Sequence, residues 1–468
     1  MPRLISWKEM PFHLASSLKG FAVVCALFAL FLCGTAQAAS EKVVLEVAAD
    51  TPVVEIGGAR KIIVRTLVRP ETLPKKRVPL AVALVLDKSG SMASDRKMDN
   101  AKRGAIEALE YLGAQDVATV VVYDTGASTL LRPTNAGDKA PFSRAVSRVR
   151  AGGSTALYDG VELAARELQP FVKEGYVPRI VMLSDGMANV GPSSTHELAA
   201  LGRKLAGREM TITTIGLGLD YNEDLMTALA AESGGNAYFA KAAESLPGIF
   251  ARDMEDAVTL TARRVRITLT CHDGAQIVRA LGREGAHSGN AIEVAVDNLY
   301  GGEKYALFEV ELPQADTAAK PLRIASARLE YIDAETGRTM VQATPLDISF
   351  SADPAEVAGN RQADIAAQAE FARNAEVREQ AVKLADEGRA QEASALLQER
   401  ADSLQNAAPS AAPADGAAMQ QEAEAFEALA GRLDSSGSMS VEERKENVNK
   451  AYRQKNQQAP APEEDAVQ

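Results

Sequence analysis

The sequence predicts an α/β unit, a doubly wound and mostly parallel sheet, inserted in an antiparallel β-sandwich and followed by a C-terminal helical region. Three observations carry this. Between residues 80 and 252, continuously apolar strand-like runs alternate with helical stretches, as in a parallel sheet covered on both faces. On either side, at 41–68 and 265–332, strand-like runs follow one another without helices, as in a sandwich. From about Asp353 the chain turns rich in Ala, Glu and Gln at helical spacing.

The bulk numbers agree. With 468 residues, 46% of them hydrophobic and 24% charged, the chain has an ordinary globular balance, which argues against wholesale disorder and against a polytopic membrane protein. Roughly 100–200 residues per domain implies two to four domains. A net charge of −12 repels phosphate backbones, so no nucleic-acid partner is expected. Only 5% of the residues are aromatic, with Trp7 the single tryptophan, and there are three cysteines. Stacking platforms, a disulfide scaffold and a thiolate zinc cluster are therefore excluded.

The elements follow in order. Arg3, Lys8 and Lys19 precede an apolar run at 21–33, and Ala36 and Ala38 are small where an export peptidase reads. Residues 1–38 read as a secretory signal, placing the protein in the periplasm or outside the cell. Retention of that segment as an N-terminal membrane anchor is the alternative. Cleavage after Ala38 removes Cys25 and Cys33 and leaves Cys271, read as a small core residue. Residues 39–79 hold two strand-like runs, 42–47 and 61–68, separated by Gly57-Gly58 and expected to pair antiparallel. Pro70, Pro74 and Pro79 mark the boundary to the α/β unit, 80–252. There, strands are expected at 80–86, 117–123, 180–183, 210–215 and 237–240, with helices near 96–112, 156–174, 196–206 and 222–233. The second part of the sandwich, 253–352, has strand-like runs at 265–270, 291–296, 305–312 and 325–332. The helical region, 353–456, begins with a hairpin broken at Gly388. A linker is expected near 406–415, at Pro409 and Pro413, then a helix at about 416–433 and a disordered tail at 457–468.

The chemistry starts where the first α/β strand ends. Asp87, Ser89 and Ser91 alternate just past it, so one turn can aim a carboxylate and two hydroxyls at a single spot. D-x-S-x-S alone is weak: Asp434-Ser435-Ser436-Gly437-Ser438 matches it too, after a helix-like run, and reads as a solvated loop or helix cap. Two further segments make the first copy specific. Gly152-Gly153-Ser154-Thr155 opens a helix, and Asp185 ends another apolar strand. All three belong at the carboxyl edge of the sheet, where ligands bind in such folds.

Residues 80–252 resemble the von Willebrand factor type A domain family and its metal-ion-dependent adhesion site. Asp87, Ser89, Ser91, Thr155 and Asp185 match the family's metal positions, and 214–218 and 233–238 resemble later segments of the domain. The resemblance implies hydroxyl ligation by the Ser and Thr, Asp ligation directly or through water, and completion of the shell by a carboxylate from a partner protein. An all-oxygen set suits Mg²⁺ or Mn²⁺, with Ca²⁺ also compatible. The flanking order resembles bacterial exported proteins similar to inter-alpha-trypsin inhibitor heavy chains and calcium-activated chloride channel homologues, on residues 299–313. Asp124 and Asp159 lie nearby in sequence, each a candidate to hydrogen-bond around the ion or to cap a turn.

Other signals are weaker. Gly216-Leu-Gly218 imitates a dinucleotide loop, but its third glycine would fall on Tyr221. His196, His272 and His287 are scattered, so no catalytic triad is visible. The leading expectation is therefore an exported, non-enzymatic, adhesion-type binding protein that captures an acidic residue of a partner protein through a divalent cation. The alternative is a periplasmic scaffold or transport-accessory protein with a vestigial metal site, binding partners through its C-terminal helices.

Overall fold

The computed structural model describes residues 42–58, 60–71, 77–314 and 321–458. The expected signal, Pro74 and most of the expected tail lie outside them. The elements below belong to one unit, Val43–Gln468.

Three strands come before the α/β unit: β1 (Val43–Ala49), β2 (Val53–Glu55) and β3 (Lys61–Pro70). β1 and β3 pair antiparallel, as the two runs around Gly57-Gly58 predict. The chain then enters the central sheet through β4 (Leu80–Asp87), β5 (Val117–Tyr123), β6 (Ala127–Asn135), β7 (Val177–Ser184), β8 (Thr211–Leu217) and β9 (Ala237–Ala240). Their order is β6-β5-β4-β7-β8-β9, parallel except for β6. β4 and β5 are buried at every position, which is why their sequence is unbroken apolar rather than alternating.

Helices α1 (Lys97–Glu110), α2 (Ala140–Ser147), α3 (Leu157–Lys173), α4 (Thr195–Gly207), α5 (Glu223–Ser233) and α6 (Leu246–Val258) cover this sheet. Alternate β4 side chains serve the two faces. Leu80, Val82, Leu84 and Leu86 pack with Ala101 and Ala105 of α1 and Phe250 of α6. Ala81, Ala83 and Val85 pack with Val161 and Leu168 of α3, Leu201 of α4 and Leu229 of α5. α1 and α6 approach so closely that a Cβ on Gly104 would meet Phe250 at 2.8 Å.

The sandwich closes with strands from both sides of the α/β unit. β10 (Ala262–Cys271), β11 (Gln276–Leu281), β12 (Ala286–Ser288), β13 (Ala291–Leu299), β14 (Lys304–Glu311), β15 (Leu322–Asp333) and β16 (Thr339–Ser351) follow it. One sheet has the order β1-β3-β14-β11, the other β12-β13-β10-β15-β16-β2. The pairings of β3 with β14 and of β2 with β16 make the α/β unit an insertion. Val64, Val68, Ile267, Leu269, Phe308 and Leu329 fill the space between the sheets. Cys271 is buried there as expected, and burial pushes its thiol up to about 11. A buried Arg179–Asp253 pair links β7 to α6, and Arg179 also donates to Tyr300 Oη at 2.8 Å, tying the α/β unit to the sandwich.

The C-terminal region consists of α7 (Pro354–Gly359), α8 (Ala363–Asp386), α9 (Ala390–Ala407), α10 (Pro413–Ser436) and α11 (Val441–Asn456). Gly388, in the left-handed region, makes the turn between α8 and α9. The stretch expected as a linker near 406–415 is a short joint: residues 408–410 form a 3₁₀ turn, Ala408 is buried, and Pro413 opens α10. Its prolines start helices rather than interrupt them. Gln457 and Gln458, expected to open the disordered tail, are instead bonded to the body of the protein. Gln457 exchanges two 2.8 Å hydrogen bonds with the Tyr305 backbone, and Gln458 bonds to Ala237.

Eight elements were not among those expected: β2, α2 and α6, and five whose sequence explains why. β6 is a half-exposed antiparallel edge carrying Pro133, and an edge is one of the places where a sheet tolerates Pro. β11 and β12 are short, β16 alternates with many polar residues, and α11 is too hydrophilic to show an apolar stripe.

Candidate metal centre

The sheet order places the site. From β4 the chain goes to β5 on one side and later to β7 on the other, so a crevice opens at the carboxyl end of β4. Asp87 ends β4, Asp185 follows β7, and Asp124 follows β5. After Asp87 the chain turns into a 3₁₀ segment, Gly90–Ala93, whose buried Met92 anchors it. This exposes Ser91 while Asp87, Ser89 and Asp185 stay buried.

Four of the five expected residues form one hydrogen-bonded chain. Ser89 N–H donates to Asp87 Oδ1 at 2.8 Å. The Ser89 and Ser91 hydroxyls lie 3.0 Å apart, and Ser91 Oγ donates to Asp185 Oδ1 at 2.6 Å. Thr155 is brought alongside by the loop before α3. Gly152 N–H donates to Lys88 O at 2.7 Å and Gly90 N–H donates to Gly153 O at 3.1 Å, so the two loops clasp each other. Gly152 and Gly153 have φ of 159° and 90°, and a Cβ on Gly153 would press on Asp124 at 2.9 Å. Asn189 fixes Thr155 by accepting its backbone N–H at 2.8 Å.

The two carboxylates are held differently. Asp87 Oδ2 accepts from Ser184 Oγ at 2.9 Å and from Tyr123 Oη at 3.2 Å. Burial still pushes the Asp87 carboxyl above the ordinary carboxylate range; the bonds from Ser89 and Ser184 oppose this, and nearby Asp185 adds to it. Asp185 Oδ2 instead accepts from Lys97 Nζ at 2.9 Å. Of the two outer acids, Asp124 is paired with Lys88, which holds its carboxyl below the usual range. Asp159 is exposed in the first turn of α3, where a negative charge suits the helix dipole. Ser184, Tyr123, Asn189 and Lys97 were not singled out as members of this site by spacing. Tyr123 and Ser184 arrive on neighbouring strands, Asn189 on the loop after β7 and Lys97 at the start of α1, and only Ser184 carried a signal, its place beside Asp185. The second D-x-S-x-S copy caps the end of α10: Ser436 Oγ donates to Arg432 O at 2.7 Å and Gly437 takes the left-handed conformation.

The donor set suits a hard divalent ion. Among the described residues no three His, Cys, Asp or Glu side chains gather to hold a metal. An ion here therefore relies on hydroxyls as well as Asp87 and Asp185. Gly186 brings the two hydroxyls to one place: a Cβ built on it would touch both Ser91 Oγ at 3.5 Å and Thr155 Oγ1 at 3.6 Å. Two carboxylates with neutral oxygens match the preference of Mg²⁺ or Mn²⁺ for oxygen ligands.

This α/β fold is that of a known domain class. Residues 82–188 match the family model of the von Willebrand factor type A domain, commonly a protein-interaction module, and the sheet described above has that α/β fold. The chain is similar to an uncharacterized protein of Synechocystis sp., with 30% identity over 172 residues covering 36% of this chain and 40% of that protein. It is also similar to human inter-alpha-trypsin inhibitor heavy chain H3, with 28% identity over 179 residues covering 36% of this chain and 19% of that one. The chain thus spans well under half the length of these relatives. Among solved structures, von Willebrand factor type A from Catenulispora acidiphila superimposes with a TM-score of 0.66 at 16% identity, covering 88% of this chain and 96% of that chain. At that identity the likeness is one of fold, and its extent takes in the sandwich and the C-terminal helices.

Proposed function

We propose that the protein is an exported, non-enzymatic binding module that captures an acidic residue of a partner protein through a divalent cation. The cation, Mg²⁺ or Mn²⁺, would be held by Asp87, Ser89, Ser91, Thr155 and Asp185. The observation that carries this reading is the hydrogen-bonded chain Asp87–Ser89–Ser91–Asp185, with Thr155 beside it, at the switch point of the sheet. Asp87 and Asp185 would hold the ion and its waters, and the hydroxyls would set its coordination. Two carboxylates and neutral oxygens under-compensate such an ion, which lets an acidic protein attract an acidic side chain. Met187, 56% exposed and two residues from Asp185, gives a partner an apolar contact at the rim. Asp124 and Asp159, paired with Lys88 and exposed, are left in supporting roles at the rim.

Export rests on the sequence pattern of the segment 1–38. Among the described residues no helix is long and apolar enough to cross a membrane. Crosslinking in cells tests the binding claim. Partners captured by the wild type should be lost on EDTA treatment and in Asp185→Ala. Capture that survives both, yet is lost on truncation at about residue 352, would contradict it and favour a scaffold acting through its helices.

A further inference from the structure

Lys97 occupies a position that helix energetics does not explain. It is the first residue of α1, the positive end of the helix dipole, where a cation is disfavoured. The chain reaches it through Asp95 and Arg96, consecutive non-glycine residues with φ of 50° and 53°, a conformation that costs energy unless something holds it. Its ammonium is largely withdrawn from solvent, with the side chain 12% exposed, and it meets the fully buried Asp185 at Oδ2. The strained turn and the buried contact both serve one ion pair.

That pair lies inside the proposed ion site. Asp185 offers Oδ1 to Ser91 and Oδ2 to Lys97, so a divalent ion among the same hydroxyls would bring a second positive centre against the ammonium in a poorly solvated place. We propose that Lys97 is a tethered counter-cation: it holds Asp185 in the ion-free protein and competes with the divalent ion for that carboxylate, setting the ion concentration at which the site loads. This rests on the reading of Asp87, Ser89, Ser91, Thr155 and Asp185 as an ion site. Without an ion, the buried pair holds Asp185 in place. With one, Lys97 loses part of its attraction and the ion binds less tightly than the donor set alone allows.

The test is calorimetric titration of the full-length chain with Mn²⁺ alone, using the wild type, Lys97→Met and Lys97→Arg. Each is also melted with and without Mn²⁺. Lys97→Met should bind Mn²⁺ at least about tenfold more tightly, equivalent to about 1.4 kcal/mol. It should melt lower than the wild type without ion and gain more from Mn²⁺. Lys97→Arg, which keeps the charge, should stay close to wild type in affinity, whereas a purely steric role would move both variants together. Should the methionine variant fail to fold, Lys97→Gln removes the charge with less loss of polarity and carries the same expectation. Mn²⁺ binding of equal or lower affinity in the charge-free variant would overturn the counter-cation while leaving the ion site standing. Absence of Mn²⁺ binding in every protein, wild type included, would overturn the ion site and this inference with it.

Discussion

Asp87 is a fully buried carboxylate, and its surroundings explain how the fold tolerates it. Burying an unpaired charge is costly, but Asp87 accepts from Ser89 N–H, Ser184 Oγ and Tyr123 Oη, donors from three different segments. Ser184→Ala should therefore lower stability by about 2 kcal/mol, the usual cost of losing a hydrogen bond to a charged group. The shift would appear in the urea midpoint, with little change in slope. An unchanged midpoint would mean that Asp87 does not depend on this bond. The candidate ligands were legible at this scale because Asp87, Ser89 and Ser91 follow an unbroken apolar run and a single turn relates them. Tyr123, Ser184 and Lys97 were not, because neighbouring strands and, for Lys97, the start of α1 deliver them from 36, 97 and 88 residues away from the groups they contact.

At the scale of elements, α11 bears most on how the parts are held together. Lys445, 2% exposed, donates to Tyr221 O at 2.5 Å, pairs with Glu223 and stands 4.1 Å over the Tyr221 ring. Arg444 reaches Asp224 at 2.7 Å and Asp386 at 2.8 Å, so one helix grips α5 and α8 together. Tyr452 Oη adds a bond to Gly235 O at 2.7 Å. Lys445→Met should cost roughly 3 kcal/mol, since removing one partner of a buried pair strands the other. The loss should appear as reduced hydrogen-exchange protection confined to α11 and α5. pH acts on the same contact. Burial alone would raise the Glu223 carboxyl, but Lys445 and Arg444 outweigh it and hold the group below its ordinary range. A depressed folded value means that this stability is complete above the unfolded value and is lost as pH falls through the folded one. The α11 contact should therefore open in acid below the usual carboxylate range, and earlier in Lys445→Met. Sequence pattern shows where such a helix cannot be seen: α11 sits on the protein through charges, so it carries no apolar stripe. β4 and α1 were legible because they bury hydrocarbon at strand and helix periods.

For the whole molecule, strand pairing organises everything else. β3 joins β14 and β2 joins β16, so the chain leaves the sandwich once, completes the α/β unit and returns. The buried Arg179–Asp253 pair and Tyr300 hold the base of that unit to the sandwich. The opposite edge, where β4, β5 and β7 end, is left open for the site. On the proposed reading, the two buried carboxylates and three hydroxyls that this acidic chain, net charge −12, places at that open edge would take up a cation. Calorimetric titration of the purified protein with Mg²⁺ and with Mn²⁺, beside Asp87→Ala, tests this most directly. The account predicts saturable binding by the wild type that Asp87→Ala abolishes or weakens by about a hundredfold, roughly 2.7 kcal/mol. Equal heats from the two proteins would contradict it.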